Sequence, residues 1–146
     1  MISRRIALAT VLASGALLVA GCGMMGSKDG MMGNTMTVPM SGANEVPPNS
    51  SGGTGTAKVD LDGNVLKWTV TYSGTTGPVT AGHFHGPAKS GANAGVVVPF
   101  TGSLASPITG TKALTAAQVD EVKAGLWYVN LHTAAHPGGE LRGQVK

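Results

Sequence analysis

Histidine is confined to two short segments of the chain, and each segment carries two of the four imidazoles. In the first, His83 and His85 are separated by one residue, so on a β-strand they point to the same face. In the second, His132 follows an apolar run and His136 comes shortly after it. Neutral imidazole is a ligand for copper, zinc and nickel. If the two segments form neighbouring strands, His83, His85 and His132 converge, and the spacing predicts a transition-metal site there.

A structural role accounts for the same residues, and the sequence leaves both interpretations open. His83 or His85 could form a hydrogen bond that holds the Gly-Pro turn that follows them. His132 could bond to a backbone carbonyl. His136 stands beside a Pro-Gly-Gly turn signal, so we expect its side chain to be exposed.

Glu140 and Arg142 share one face of the last predicted strand, and we expect either of them to form an ion pair with a neighbouring strand. No serine or threonine stands in a nucleophile motif such as G-x-S-x-G, and no phosphate-binding loop is present. The sequence therefore predicts no catalytic residue, and an enzyme is the less favoured interpretation.

The elements that must position these side chains are predicted to be short β-strands. The clearest signal is a hairpin, since apolar and polar residues alternate over 54–62 and 66–72 and Gly63-Asn64 supplies a two-residue turn. Further strands are predicted at 36–41, 79–85, 96–100, 104–110, 126–133 and 140–145. About seven strands with frequent turn signals favour an all-β, antiparallel sandwich.

One segment departs from the strand pattern. Thr115 and Gln118 have the spacing of a capping box, and Val119 and Val122 follow on one helical face. Gly125 supplies a helix stop. Residues 114–123 are therefore predicted to form one short crossover helix.

The N-terminus has the features of a bacterial lipoprotein signal. Arg4 and Arg5 precede an apolar run that ends in small residues directly before Cys22, the single cysteine of the chain. The run is shorter than the roughly 20 residues of a membrane span. We expect residues 1–21 to be a signal peptide and Cys22 to carry lipid. The expected partner is a membrane, and the expected location is the cell envelope, on the outer membrane if the cell is Gram-negative.

Residues 22–35 are rich in glycine and methionine, which predicts a flexible tether between the lipid and the domain. The thioethers are also soft ligands for Cu(I), so a metal-binding tether is an alternative to a plain spacer. Without Arg4 and Arg5, eight lysines and arginines face seven acidic residues. This near-neutral chain has no basic cluster, and nucleic-acid binding is therefore not expected.

Three segments resemble the motifs of CHRD domains, the module named after chordin. They are SGANEVPP at 41–48, GHFHGPA at 82–88, and GLWYVNLHT followed by PGGELRGQ within 125–144. The resemblance runs over residues 36–146 and implies an immunoglobulin-like β-sandwich. It implies little about function, and growth-factor binding is not carried over from chordin.

The strand with His83 and His85 also looks like the copper-binding strand of Cu/Zn superoxide dismutase. That enzyme binds two metals and contains a disulfide, whereas this chain has four histidines and one cysteine. A bimetallic dismutase is therefore excluded. The likeness leaves a mononuclear copper site of His83, His85 and His132, with His136 or a water as the fourth ligand.

These observations support a leading hypothesis and a competing one. The first is a membrane-tethered domain that binds a transition metal, copper preferred, for metal handling in the cell envelope. The second is a structural or adhesive module whose histidines only brace the fold. A redox enzyme that uses copper alone is a weaker third hypothesis.

Overall fold

The computed structural model describes residues 34–146, so the predicted signal peptide, Cys22 and residues 22–33 of the tether lie outside the described residues. Within 34–146 no helix is long and apolar enough to cross a membrane. The elements are β1 (Asn34–Ser41), β2 (Thr54–Asp62), β3 (Val65–Ser73), β4 (Val79–His85), β5 (Val96–Pro99), β6 (Ile108–Ala113), α1 (Ala116–Lys123), β7 (Trp127–Thr133) and β8 (Leu141–Val145).

All strand pairs are antiparallel, in the order β5-β4-β7-β8-β1-β2-β3-β6. Strands β1 and β8 pair only at Ser41 and Arg142, so the sheet folds there into two halves that face each other. Trp68 of β3 meets Phe84 of β4, with 5.3 Å between their ring centroids. The predicted all-β antiparallel sandwich is confirmed.

Local sequence signals account for the β2–β3 hairpin and for α1. Gly63 has a φ of 60°, which the tight turn requires and which glycine adopts without strain. At α1, the Thr115 hydroxyl accepts a hydrogen bond from the Gln118 amide, and the Gln118 side chain accepts one from the Thr115 amide. Val119 and Val122 are buried. The hairpin and the capped helix therefore form as predicted.

Most element boundaries differ from the sequence prediction by one or two residues, and the differences at β1 and β6 have a clear physical reason. Strand β1 begins at Asn34 instead of 36, because Asn34 pairs with Leu61 at the end of β2. Strand β6 spans 108–113 instead of 104–110. The predicted strand ran across Pro107, which has no amide to donate to a ladder. The strand therefore starts after this proline, with Ile108 buried opposite Val70.

The outer face of β4, β7 and β8 is covered by two loops, 42–53 and 86–95. Asn44 donates to the Arg142 carbonyl, and Arg142 in turn donates to the Asn93 side chain. Asn93 also donates to the Val46 carbonyl, which joins the two loops. Polar side chains on this face are therefore buried although they point away from the apolar core.

Candidate metal centre

The register of β4 against β7 brings three histidines together on the outer face. His83 pairs with Asn130, and Ala81 pairs with His132, so the three side chains are neighbours across the two strands. Phe84, between the two histidines of β4, points into the core and is fully buried. The predicted neighbourhood of the two strands and the shared face of His83, His85 and His132 are confirmed.

One ring nitrogen of each histidine can be chosen so that all three lie within 4.8 Å of one another. His83 Nδ1 and His132 Nε2 lie 3.1 Å apart. A metal bound at about 2.0–2.1 Å from each nitrogen needs the nitrogens about 3–4 Å apart. Side-chain shifts of about 1 Å or less therefore suffice to close the set around an ion. His136 does not belong to this group.

Backbone carbonyls fix which nitrogen of two rings carries the proton. His85 Nδ1 lies 3.0 Å from the Ala94 carbonyl oxygen, and His132 Nδ1 lies 2.9 Å from that of Pro137. A carbonyl only accepts, so Nδ1 of each ring must donate, and in the neutral ring Nε2 keeps its lone pair. Metal-binding histidines are commonly held by such a bond. The hydrogen bond from His132 to a backbone carbonyl is thus present, and it leaves Nε2 of this ring free to act as a metal ligand.

The surroundings of the rings favour their neutral form. Burial lowers the pKa of His83, and the neighbouring His132 and His85 lower it further. Burial also lowers the pKa of His132, against an opposing hydrogen bond to Pro137. Neutral imidazole is the form that binds a metal. The ring of His83 remains partly exposed, which gives an ion access from solvent.

Tyr128 and Arg142 form a stack beside the histidines. The Tyr128 ring lies parallel to the His85 ring, with centroids 4.7 Å apart and an interplanar angle of 2°. The buried Arg142 guanidinium lies 3.5 Å from the centre of the same tyrosine ring. Tyr128 also bonds to Ala94, the residue that holds His85. The stack therefore restricts the rotation of the His85 ring.

The ion pair expected for Glu140 or Arg142 is wrong, since the single ion pair in residues 34–146 joins Lys67 to Asp62. Arg142 donates instead to Asn93 and to the Ala92 carbonyl. Glu140 is fully buried and accepts hydrogen bonds from three hydroxyl groups and one amide, provided by Ser51, Thr76 and Thr133. These donors come from loops and from β7, so the pattern of the last strand gave no sign of them.

The turn after β4 is held by packing and by backbone hydrogen bonds, from the Gly86 amide to the Gly95 carbonyl and from the Ala88 amide to the Leu126 carbonyl. Gly86 lies against the indole of Trp127, where a Cβ atom would come within 2.3 Å of the ring. His85 bonds to Ala94 in the following loop, and His83 contacts His132. His85 therefore does brace this loop, but its bond reaches Ala94 at the far end of residues 86–95 and not the Gly-Pro turn at the start.

Two polar groups beside the histidines were not singled out from sequence. Asn130 stands two residues before His132 on β7 and therefore shares its face, but an asparagine at this spacing predicts no role by itself. Its Oδ1 contacts both His85 and His132. Glu45 is buried by the folding of a loop, so only the three-dimensional structure brings it to this face.

The comparisons with known proteins agree with the sequence motifs. The family model for the CHRD domain matches residues 36–145. No curated protein and no solved structure matches the chain. The matched region contains all eight strands except the first two residues of β1, together with the three histidines of the candidate centre. The chain therefore belongs to the CHRD domain family.

Proposed function

We propose that this chain is a lipid-anchored CHRD-domain protein of the bacterial cell envelope that binds one transition-metal ion, copper preferred, through His83, His85 and His132. The convergence of three imidazoles, two of them held by backbone carbonyls, carries the metal proposal. Affinity of nitrogen sites for divalent ions peaks at copper in the Irving–Williams order, which is the reason for preferring copper.

The role that fits this site is metal binding and handling, without catalysis. Apart from the histidines, the side chains around it include the Asn130 amide, the Tyr128 ring that stacks on His85, and the Arg142 guanidinium that lies over this ring and donates to Asn93. The lipid anchor rests on residues 1–22 of the sequence alone. It would hold the domain at a membrane surface, where periplasmic or external metal ions are accessible.

The competing function, a structural or adhesive module, is favoured by the same carbonyl bonds. His85 fastens the loop that contains Ala94, and His132 fastens the loop that contains Pro137. Each neutral bond of this kind contributes about 1 kcal/mol of stability. A bracing role requires these two histidines but gives no reason for His83, whose ring contacts another histidine, His132.

His83→Ala is the variant that tests the metal site most directly. The ring of His83 contacts His132 and is not hydrogen-bonded to a backbone carbonyl, unlike the rings of His85 and His132. We expect the chain lacking residues 1–21, with Cys22→Ser, to bind one equivalent of Cu(II) in a calorimetric titration. His83→Ala should weaken binding by at least about 100-fold, more than the loss of an outer hydrogen-bond partner costs. His136→Ala is the matched control and should bind like the parent chain. Equal uptake by parent and His83→Ala would remove this site.

The anchor has its own test, in cells that express the full chain. Metabolic labelling with an alkyne-tagged fatty acid should label the protein, because a thioether forms at Cys22. Cys22→Ser should lose the label completely and move from the membrane to the soluble fraction, since stable anchoring requires two or more acyl chains. His136→Ala serves as a control for expression. Full labelling of Cys22→Ser would contradict the lipoprotein proposal.

A further inference from the structure

The side-chain amide of Asn130 occupies the centre of the candidate site. Its Oδ1 lies 3.0 Å from His85 Nε2 and 3.1 Å from His132 Nε2. Asn130 is only 3% exposed, and in the register it lies directly opposite His83. The amide oxygen is therefore within reach of any ion that the three imidazoles would hold.

The hydrogen-bonding capacity of these groups is unbalanced. The carbonyls of Ala94 and Pro137 accept hydrogen bonds from the Nδ1–H groups of His85 and His132. In the neutral rings, each Nε2 atom therefore carries a lone pair. Asn130 Oδ1 is also an acceptor. Acceptors packed together with no donor between them are unfavourable. The Nδ1 of His83 can donate to His132 but leaves His85 facing the oxygen. A cation at this point would satisfy all of these acceptors together.

A rotation of the amide, which would place Nδ2 against the rings, is opposed from the other side. The buried Glu45 carboxyl lies beside Asn130, and its Oε1 has no hydrogen-bond partner within residues 34–146. Because this oxygen lacks a donor and an NH₂ group can only donate, the NH₂ group of Asn130 is best placed facing Glu45. The amide oxygen then faces the imidazoles.

We propose that Asn130 Oδ1 is the fourth ligand of the ion held by His83, His85 and His132, and that Glu45 is the positioning residue that keeps this oxygen turned inwards. The inference rests on the proposed metal function and adds the coordination set to it. Three imidazoles and one amide oxygen suit a divalent borderline ion such as Cu(II) or Zn(II). The soft ion Cu(I) prefers sulfur ligands. The amide oxygen thus selects against Cu(I) at this site.

The test compares Asn130→Leu and Asn130→Asp with the parent chain. Asn130→Leu keeps the side-chain volume but removes the oxygen, and it should lower the Cu(II) affinity about 10–100-fold. Its affinity for Cu(I), measured by competition with a chromogenic chelator, should stay unchanged. Asn130→Asp supplies a charged oxygen, so it should bind Cu(II) at least as tightly as the parent. Both variants should change the g and hyperfine values of the Cu(II) EPR spectrum.

Two further variants separate ligation from fold. Gln144→Leu is the control for the loss of a side-chain amide. Gln144 lies on β8 and donates to the Ala88 and Gly125 carbonyls, so its removal should leave the EPR spectrum unchanged. Glu45→Gln lets the Asn130 amide rotate and should alter the spectrum and weaken Cu(II) binding. An unchanged spectrum and affinity in Asn130→Leu would overturn the fourth ligand while the three-histidine site stands. A parent chain that binds no copper would overturn both proposals.

Discussion

Glu140→Ala is expected to destabilise the domain by about 3–5 kcal/mol, because it leaves several buried donors without an acceptor. Glu140 is fully buried and accepts from the hydroxyls of Ser51, Thr76 and Thr133 and from the Thr76 amide. The hydroxyls can rotate towards other partners, but the amide cannot. Urea unfolding followed by tryptophan fluorescence measures the loss, with Ser103→Ala at an exposed loop position as the control.

The same carboxylate makes stability depend on pH. Burial acts to raise the pKa of Glu140, but the hydrogen bonds outweigh it and lower the pKa from 4.5 to about 2. Above pH 4.5 the group is ionised in both the folded and the unfolded chain, and its full contribution is present. As the pH falls from 4.5 towards 2, the unfolded chain takes up a proton first, so about 3 kcal/mol of stability is lost.

Glu140→Gln isolates this effect, since it keeps the shape of the side chain but does not titrate. We expect it to be less stable than the parent at pH 7 and to approach the parent between pH 4.5 and 2. The buried Glu45 titrates in another window, because burial raises its pKa from 4.5 to about 7. Glu45 therefore contributes most to folding stability below pH 4.5, and this contribution is lost as the pH rises from 4.5 to about 7. An acid limb below pH 4.5 that is equal in Glu140→Gln and the parent would contradict the assignment to Glu140.

The parts of this fold that were predictable from sequence depend on neighbouring residues. The alternation over β2 and β3, the Gly63-Asn64 turn and the capping box at Thr115 are all local, and each has the predicted form. The pair His83 and His85 follows from the period of two along one strand. By contrast, the strand across 104–110 failed because Pro107 breaks the ladder within it.

The rest of the site depends on contacts between segments far apart in the chain. Whether His132 meets His83 depends on the pairing of β4 with β7, which the sequence allowed but did not require. The carbonyls of Ala94 and Pro137 belong to loops, and a backbone carbonyl carries no sequence signal. Glu140 gathers donors from positions 51, 76 and 133, so its hydrogen-bonded state could not be distinguished beforehand from an ion pair.

The metal and bracing functions can be separated by the effect of copper on thermal unfolding. A ligand that binds only the folded state stabilises it by about 2.7 kcal/mol at 100 times its Kd. For a domain of this size the midpoint should rise by on the order of 10 °C. We expect this rise for the parent chain with Cu(II), and its reversal when the copper is removed with EDTA.

His132→Ala should remove that rise completely, because it deletes the imidazole whose Nε2 faces both His83 and Asn130. Without copper it should lower stability by only about 1 kcal/mol, for the lost bond to the Pro137 carbonyl. His136→Ala, outside the three-histidine group, should keep the full copper effect. If His132 only braces the loop, His132→Ala should still lose about 1 kcal/mol of stability without copper, but Cu(II) should not raise the unfolding midpoint of the parent chain. A copper-dependent rise that persists in His132→Ala would place the ion elsewhere, so the two measurements together decide between the two functions.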